Sequence, residues 1–270
     1  MGGLTDVLAL CYHGVSPTWP AVTAVRPDQL GSQLRGMVDR GYRGATFTDA
    51  LTAPASAKTL VVTFDDAHRS VLELAHPIMS ELGIPGTVFA PTDFVSAGRP
   101  MAWQGIDGWI GGPHEHELAC MSWDELRTLA DDGWEIGSHT RSHPHLTRLD
   151  DARLEAELAG SRELLEDRLG RECSSLAYPY GECDERVVRA ARAAGYRVAA
   201  TVPPDYGVPL PLQWPRIDIA QRDTALRFRM RVSPLMRRLA LSPTGRPLLA
   251  AARASTRGPR RAARTLRWRA

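Results

Sequence analysis

The stretch TLVVTFDDAH (59–68) runs from a short apolar segment into two adjacent aspartates and a histidine. Its first half reads as a buried β-strand, rich in β-branched residues and too short for a helix. Carboxylates are among the residues least often fully buried unless they are paired or bind a metal. Two of them at the end of such a strand therefore need partners. One account is local, with one aspartate capping the next helix and the other in solvent. The other is chemical, and the rest of the chain bears on the choice.

Six further segments repeat the strand pattern: VLALCYH (7–13), GTVFAP (86–91), WEIGSHT (134–140), SLAYPYG (175–181), RVAATV (197–202) and WPRIDI (214–219). Amphipathic stretches lie between several of them, at 27–41, 70–83, 122–133, 152–170 and 184–195, and each ends in glycine, a common left-handed helix stop. Ser122 and Glu125 stand at capping-box spacing. Seven strands alternating with helices imply an α/β fold with a mostly parallel sheet, open or closed into a barrel. His13, Asp65, Asp66, His139 and Tyr180 all fall at strand C-terminal ends, where α/β active sites assemble. The Gly-rich stretch 96–118, with two tryptophans, reads as a long loop walling that site.

A length of 270 residues with 43% hydrophobic content fits one large α/β domain or two small ones. The net charge of +2 hides an asymmetry, because residues 221–270 hold fourteen arginines against Asp223 alone, leaving −11 on the first 220. The start, MGGLTDVLALCYHGV, lacks the basic region, apolar core and cleavage site of a signal peptide. No apolar run of about 18 residues offers a membrane span, so a cytoplasmic location is expected. Cys11, Cys120, Cys173 and Cys183 lie at irregular spacings without a CxxC pair and are expected to be free thiols.

GSHTRSHPHL (137–146) gives the aspartates candidate partners. His139 and His143 are four apart, a spacing that puts two imidazoles on one face of a helical turn. Two neutral imidazoles and one carboxylate suit a catalytic zinc with one position left open. On these motifs the chain resembles the polysaccharide deacetylase family (NodB-homology, carbohydrate esterase family 4). TFDD (63–66) stands at the family's first motif, HTRSH (139–143) at the second and AYPYG (177–181) at the third. The resemblance covers about residues 7–219 and implies a distorted (β/α) barrel of about seven parallel strands. It also implies metal-dependent N-deacetylation of an acetamido sugar. Asp66, His139 and His143 would hold Zn2+ or another divalent transition metal such as Co2+. Asp65 would be the general base that deprotonates the hydrolytic water, and the Tyr180 backbone N–H the oxyanion donor.

Three departures from the family pattern matter. Ala67 replaces the usual glycine, which is tolerable unless that residue needs positive φ. Ala177 stands where the family has an arginine that holds the base. Arg216, in the last strand, is the expected replacement, since a guanidinium beside Asp65 keeps it ionised and oriented; a surface salt bridge is the competing account. The family's C-terminal Leu-x-x-His acid is missing, for no histidine follows Tyr196. CYHGV (11–15) is instead similar to the N-terminal Tyr-His of the poly-N-acetylglucosamine deacetylases, and the first and last strands of a closed barrel are neighbours. His13 is therefore expected to protonate the leaving amine, the alternative being a buried histidine bonded to a backbone carbonyl. His68 lies near the two aspartates and matches no motif.

The expected organisation is a catalytic barrel over 1–222 and an Arg-rich extension over 223–270, helical or partly disordered. For the extension, a solvated or body-packed segment competes evenly with docking on an anionic inner membrane face. Nonspecific nucleic-acid contact ranks behind both, and no specific nucleic-acid partner is expected. The expected substrate is a GlcNAc-type acetamido sugar in a glycolipid precursor, a glycosylated metabolite or an oligosaccharide. The alternatives are the same chemistry on a formamido sugar or a cyclic imide, and a catalytically silent carbohydrate-binding barrel. A metal triad with a separate base argues against the silent barrel.

Overall fold

The computed structural model describes residues 6–53, 58–203 and 208–241. Nine strands form one parallel sheet: β1 (Asp6–Tyr12), β2 (Arg43–Gly44), β3 (Lys58–Phe64), β4 (Gly86–Ala90), β5 (Glu135–Ser138), β6 (Ser175–Ala177), β7 (Val198–Thr201), β8 (Trp214–Pro215) and β9 (Ile217–Asp218). β8 and β9 are halves of one extended segment interrupted at Arg216. The first half pairs with β7 and the second with β1, which brings the sheet round into a nearly closed barrel. Each of the seven strands expected from sequence is present in it. The two-residue β2 is the addition: it takes the edge of β3 opposite β1 at Thr59 and Leu60, before β4 enters at Val62.

Side chains alternate along each strand, and here the alternation sorts the core into two parts. Leu8, Leu10 and Tyr12 of β1, Leu60, Val62 and Phe64 of β3, and Val88 of β4 join the large cluster under the helices. The opposite parity, Ala9, Val61, Phe89, Ala177, Val198 and Ala200, forms a smaller cluster filling the bore. Small residues dominate it because seven short strands enclose little space. The same inward parity carries Cys11, Thr63 and Arg216 towards the C-terminal end of the bore.

The helices are α1 (Pro27–Val38), α2 (Phe47–Thr52), α3 (His76–Glu81), α4 (Trp123–Asp131), α5 (Asp151–Leu169), α6 (Glu185–Ala193), α7 (Ala225–Arg231) and α8 (Pro234–Leu241). Both capping-box bonds of Ser122 and Glu125 are made, and the glycine stops at 41, 83, 133, 170 and 195 all have positive φ. The stretch 70–83 is not one regular helix. A wide π turn over Val71–Ala75 precedes α3, because Pro77 has no N–H for a regular turn. The short α2 was legible only as a cap: the Thr46 side chain accepts from the Asp49 N–H.

The first part of the basic segment packs on the body. Phe228 and Val232 enter the main core, and buried Asp223 receives Arg227 at 2.9 Å and Arg231 at 2.6 Å. Arg237 reaches Asp6 at 2.7 Å. The expectation for the remainder of the extension falls on residues 242–270, outside the described residues. Among the described residues no helix is long and apolar enough to cross a membrane.

Gly86 exposes a packing constraint of the barrel. A Cβ there would lie 2.3 Å from the Trp134 ring, which in turn lies 5.8 Å from the Phe64 ring at 22°. Gly86→Ala should therefore destabilise the protein by about 1–3 kcal/mol, as overpacking does. Thermal unfolding monitored by circular dichroism measures this, and an unchanged midpoint would contradict the packing.

Candidate active site

Asp65 continues the inward parity of β3 one step beyond its last residue. Burial alone would raise its carboxyl, but the charge of Arg216, with His139 and the Arg216 hydrogen bonds, holds it down at about 2. Arg216 donates through both terminal nitrogens, Nη1 to Oδ1 at 2.6 Å and Nη2 to Oδ2 at 2.7 Å. Nη1 also donates to the Thr63 hydroxyl at 2.8 Å, which in turn donates to the Leu10 carbonyl at 2.8 Å. The guanidinium is fully buried over the Phe89 ring at 5.3 Å. Arg216 is thus no surface ion pair. It meets Asp65 within the bore, whose lining includes the small Ala177.

Asp66 points elsewhere because the chain turns at once: Asp66 has φ 71° and Ala67 φ 52°. The alanine at the family's glycine position does occupy the left-handed region, at a cost of about 1–2 kcal/mol. The turn places Asp66 Oδ1 3.4 Å from His139 Nε2 and 3.5 Å from His143 Nε2. His139 Nδ1 donates to the Ala177 carbonyl at 2.8 Å, which fixes the tautomer with Nε2 facing the carboxylate. His139 and His143 converge by a different route from the helical turn that their spacing suggests. The segment between β5 and α5 is a loop in which Thr140 (φ 68°) and His143 (φ 60°) are both left-handed.

These three side chains fit a metal ion. Bonds of about 2.0–2.2 Å in a tetrahedral site put donor atoms roughly 3.3–3.5 Å apart. The observed separations match, and Asp66 Oδ1 is buried without a hydrogen-bond donor. Burial and the charge of His139 push the His143 imidazole down to about 3, so it is neutral with a lone pair to give. Burial also opposes a proton on His139, but the charges of Asp65 and Asp66 outweigh it and raise that group. Asp66 is held well below the usual carboxylate range; desolvation works against this, and the His139 and His68 contacts overcome it.

The remaining residues surround this centre. His13 is half-buried, and one of its ring nitrogens lies within 4.8 Å of both the Asp65 carboxylate and Cys11 Sγ. Its Nδ1 has no protein partner, so no backbone carbonyl holds it. Tyr180 sits in a left-handed turn (φ 60°), with its ring 4.7 Å from His143 and stacked on His145 at 3.8 Å. Sequence reasoning did not single out Cys11, whose thiol faces Asp65 Oδ2 at 3.4 Å, or Trp103, whose ring stacks on His143 at 4.1 Å. The signals were faint: the inward parity of β1 for Cys11, and a tryptophan in the Gly-rich loop for Trp103. That loop does wall the site: Trp103 stacks on His143, and the Glu117 carbonyl accepts from His68 Nδ1. His68, almost fully buried, sets Nδ1 on the Glu117 carbonyl at 2.9 Å and Nε2 3.7 Å from Asp66 Oδ2. All four cysteines are free.

The comparisons agree with this geometry. The model of the polysaccharide deacetylase family matches residues 52–199, and the chain belongs to that family. A Bacillus subtilis (strain 168) protein carrying the polysaccharide deacetylase name, YxkH, is 26% identical over 200 residues, covering 72% of this chain and 64% of that protein. The poly-beta-1,6-N-acetyl-D-glucosamine N-deacetylase of Staphylococcus aureus (strain MRSA252) is 24% identical over 187 residues, 64% of this chain and 59% of that one. The chain therefore spans under two thirds of the length of either relative. Streptococcus pyogenes deacetylase PplD, solved in complex with acetate, shares the fold with a TM-score of 0.70 at 20% identity, over 85% of this chain and 98% of that one.

Metal uptake has a proton cost that can be measured. A raised His139 carries its proton towards neutral pH, and a metal must displace it. Apparent zinc affinity should fall by about tenfold per pH unit below the His139 midpoint, with one proton released on binding. Competition with a chromophoric chelator between pH 8 and 5.5 tests this. A flat affinity would contradict the ligand set.

Proposed function

We propose that this chain hydrolyses the N-acetyl amide of a GlcNAc-type sugar, releasing acetate and a free amine, with zinc or a similar divalent transition metal held by Asp66, His139 and His143. The observation that carries the reading is the separation of two carboxylates adjacent in sequence. Asp66 converges with two imidazoles, while Asp65, one residue earlier, is clamped by Arg216 at 2.6 and 2.7 Å. A site needing only a metal would not need the second.

A divalent metal at the triad would polarise the amide carbonyl and make water a better nucleophile at neutral pH. The chain supplies the rest. Asp65, ionised at any neutral pH, accepts the proton of the attacking water, and Arg216 fixes the direction of its lone pairs. The Tyr180 backbone N–H, presented by the left-handed turn beside His143, donates to the charge developing on the amide oxygen. His13, on the Asp65 side of the site, gives a proton to the departing amine. Trp103, stacked on His143, and Tyr180, edge-on to it, limit the water that reaches it. The substrate is taken to be a glycolipid precursor, a glycosylated metabolite or an oligosaccharide, acted on in the cytoplasm.

Acetate release from a panel of acetamido sugars, with and without chelator, tests the activity. Acetate should appear only without chelator. Formate from formamido analogues, or no release with retained sugar binding, would point to the alternatives. His13→Ala should lower turnover by about 10²–10⁴-fold with metal content intact. Wild-type turnover in that variant would remove His13 from the reaction.

A further inference from the structure

Helix α7 is apolar on two opposite sides. Phe228 and Val232 face the core at 3% and 1% exposure, whereas Leu226 and Met230, also four apart, stand in solvent at 69% and 52%. A helix that only covers a core carries a polar outer face. The pattern continues on α8 with Leu235, 66% exposed. It extends the other way to Val22, 58% exposed, whose carbonyl accepts the Gln221 N–H at 3.0 Å. Exposed Arg222, Arg229 and Arg238 lie among these side chains. Asp223, the segment's acid, is buried against Arg227 and Arg231, so the outer surface of the segment is cationic and apolar at once.

We propose that this face docks on an anionic lipid bilayer, with Leu226, Met230 and Leu235 entering the headgroup boundary and the arginines meeting lipid phosphates. Apolar burial and attraction to anionic lipid add on such a surface, and neither alone holds a protein firmly. Charge selects the occupant. A second copy would set one arginine-rich face against its own image. Residues 242–270 add eight arginines and no acid, so they carry no charge complementary to this face. A nucleic acid would satisfy the arginines and leave the leucines and methionine in water. The loop that carries Val22 also carries Trp19, whose ring lies 5.5 Å from that of His68 beside Asp66. The inference stands independently of the deacetylase reading.

Co-sedimentation of the full chain with vesicles tests it. Binding should be at least about tenfold stronger on phosphatidylcholine vesicles containing about 30% phosphatidylglycerol than on pure phosphatidylcholine, and should weaken in high salt. Leu226→Gln with Met230→Gln, both exposed, should keep the unfolding midpoint and lose about tenfold in vesicle binding; Arg229→Glu with Arg238→Glu should do the same. Four results would overturn the proposal. One is no binding to the anionic vesicles, and another is unchanged binding in the Gln pair. The third is light scattering that shows the Gln pair dissolving a dimer while vesicle binding stays intact. Duplex DNA competing with vesicles equally well, in wild type and the Gln pair alike, would also overturn it, by assigning the face to charge alone.

Discussion

The buried contact between Arg216 and Asp65 ties the chemistry of this protein to its architecture. The guanidinium comes from the last strand segment, the carboxylate from the strand two places away across the seam, and Thr63 and Leu10 join the same network. Such a pair is expensive to desolvate, and its attraction repays that cost only with both partners present. Removing one partner alone leaves a bare buried charge, typically worth about 3–5 kcal/mol. The contact that helps to shut the barrel is therefore also the one that keeps Asp65 ionised and aimed.

The second constraint is local strain at the mouth of the barrel. Six described non-glycine residues have positive φ, and five of them, Asp66, Ala67, Thr140, His143 and Tyr180, belong to the site. Each costs about 1–3 kcal/mol, and such conformations persist where the surroundings over-determine them. Here they do specific things. The turn at Asp66 separates it from Asp65, so adjacent residues serve different partners. The turns at Thr140 and His143 fold a four-residue spacing back on itself. The rigid strands supply direction, and these turns redirect it.

Much of this was legible in the sequence because strand periodicity and active-site position are linked in α/β folds. The seven strands and the glycine-stopped helices follow from alternation and helix-stop signals, and the grouping of Asp66, His139 and His143 follows from the family motifs they stand in. The meeting of Arg216 with Asp65 was open to inference only because closure makes distant strands neighbours. What escaped was set by tertiary context. Two-residue β2 has no periodicity to read, and α2 shows only its cap. The loop path between the two histidines depends on left-handed residues that are neither Gly nor Asn. Trp103, Cys11 and the Ala177 carbonyl act through contacts that no local pattern encodes.

The account rests on a division of labour between Asp65 and Asp66, and parallel assays of metal content and turnover in Asp65→Asn and Asp66→Asn address it directly. Asparagine at 65 still offers Arg216 one acceptor oxygen, so the folded variant should retain a full equivalent of metal while losing acetate release. Asparagine at 66 should lose both metal and turnover. A metal-free Asp65→Asn protein, or an Asp66→Asn protein with full metal content, would contradict the assignment.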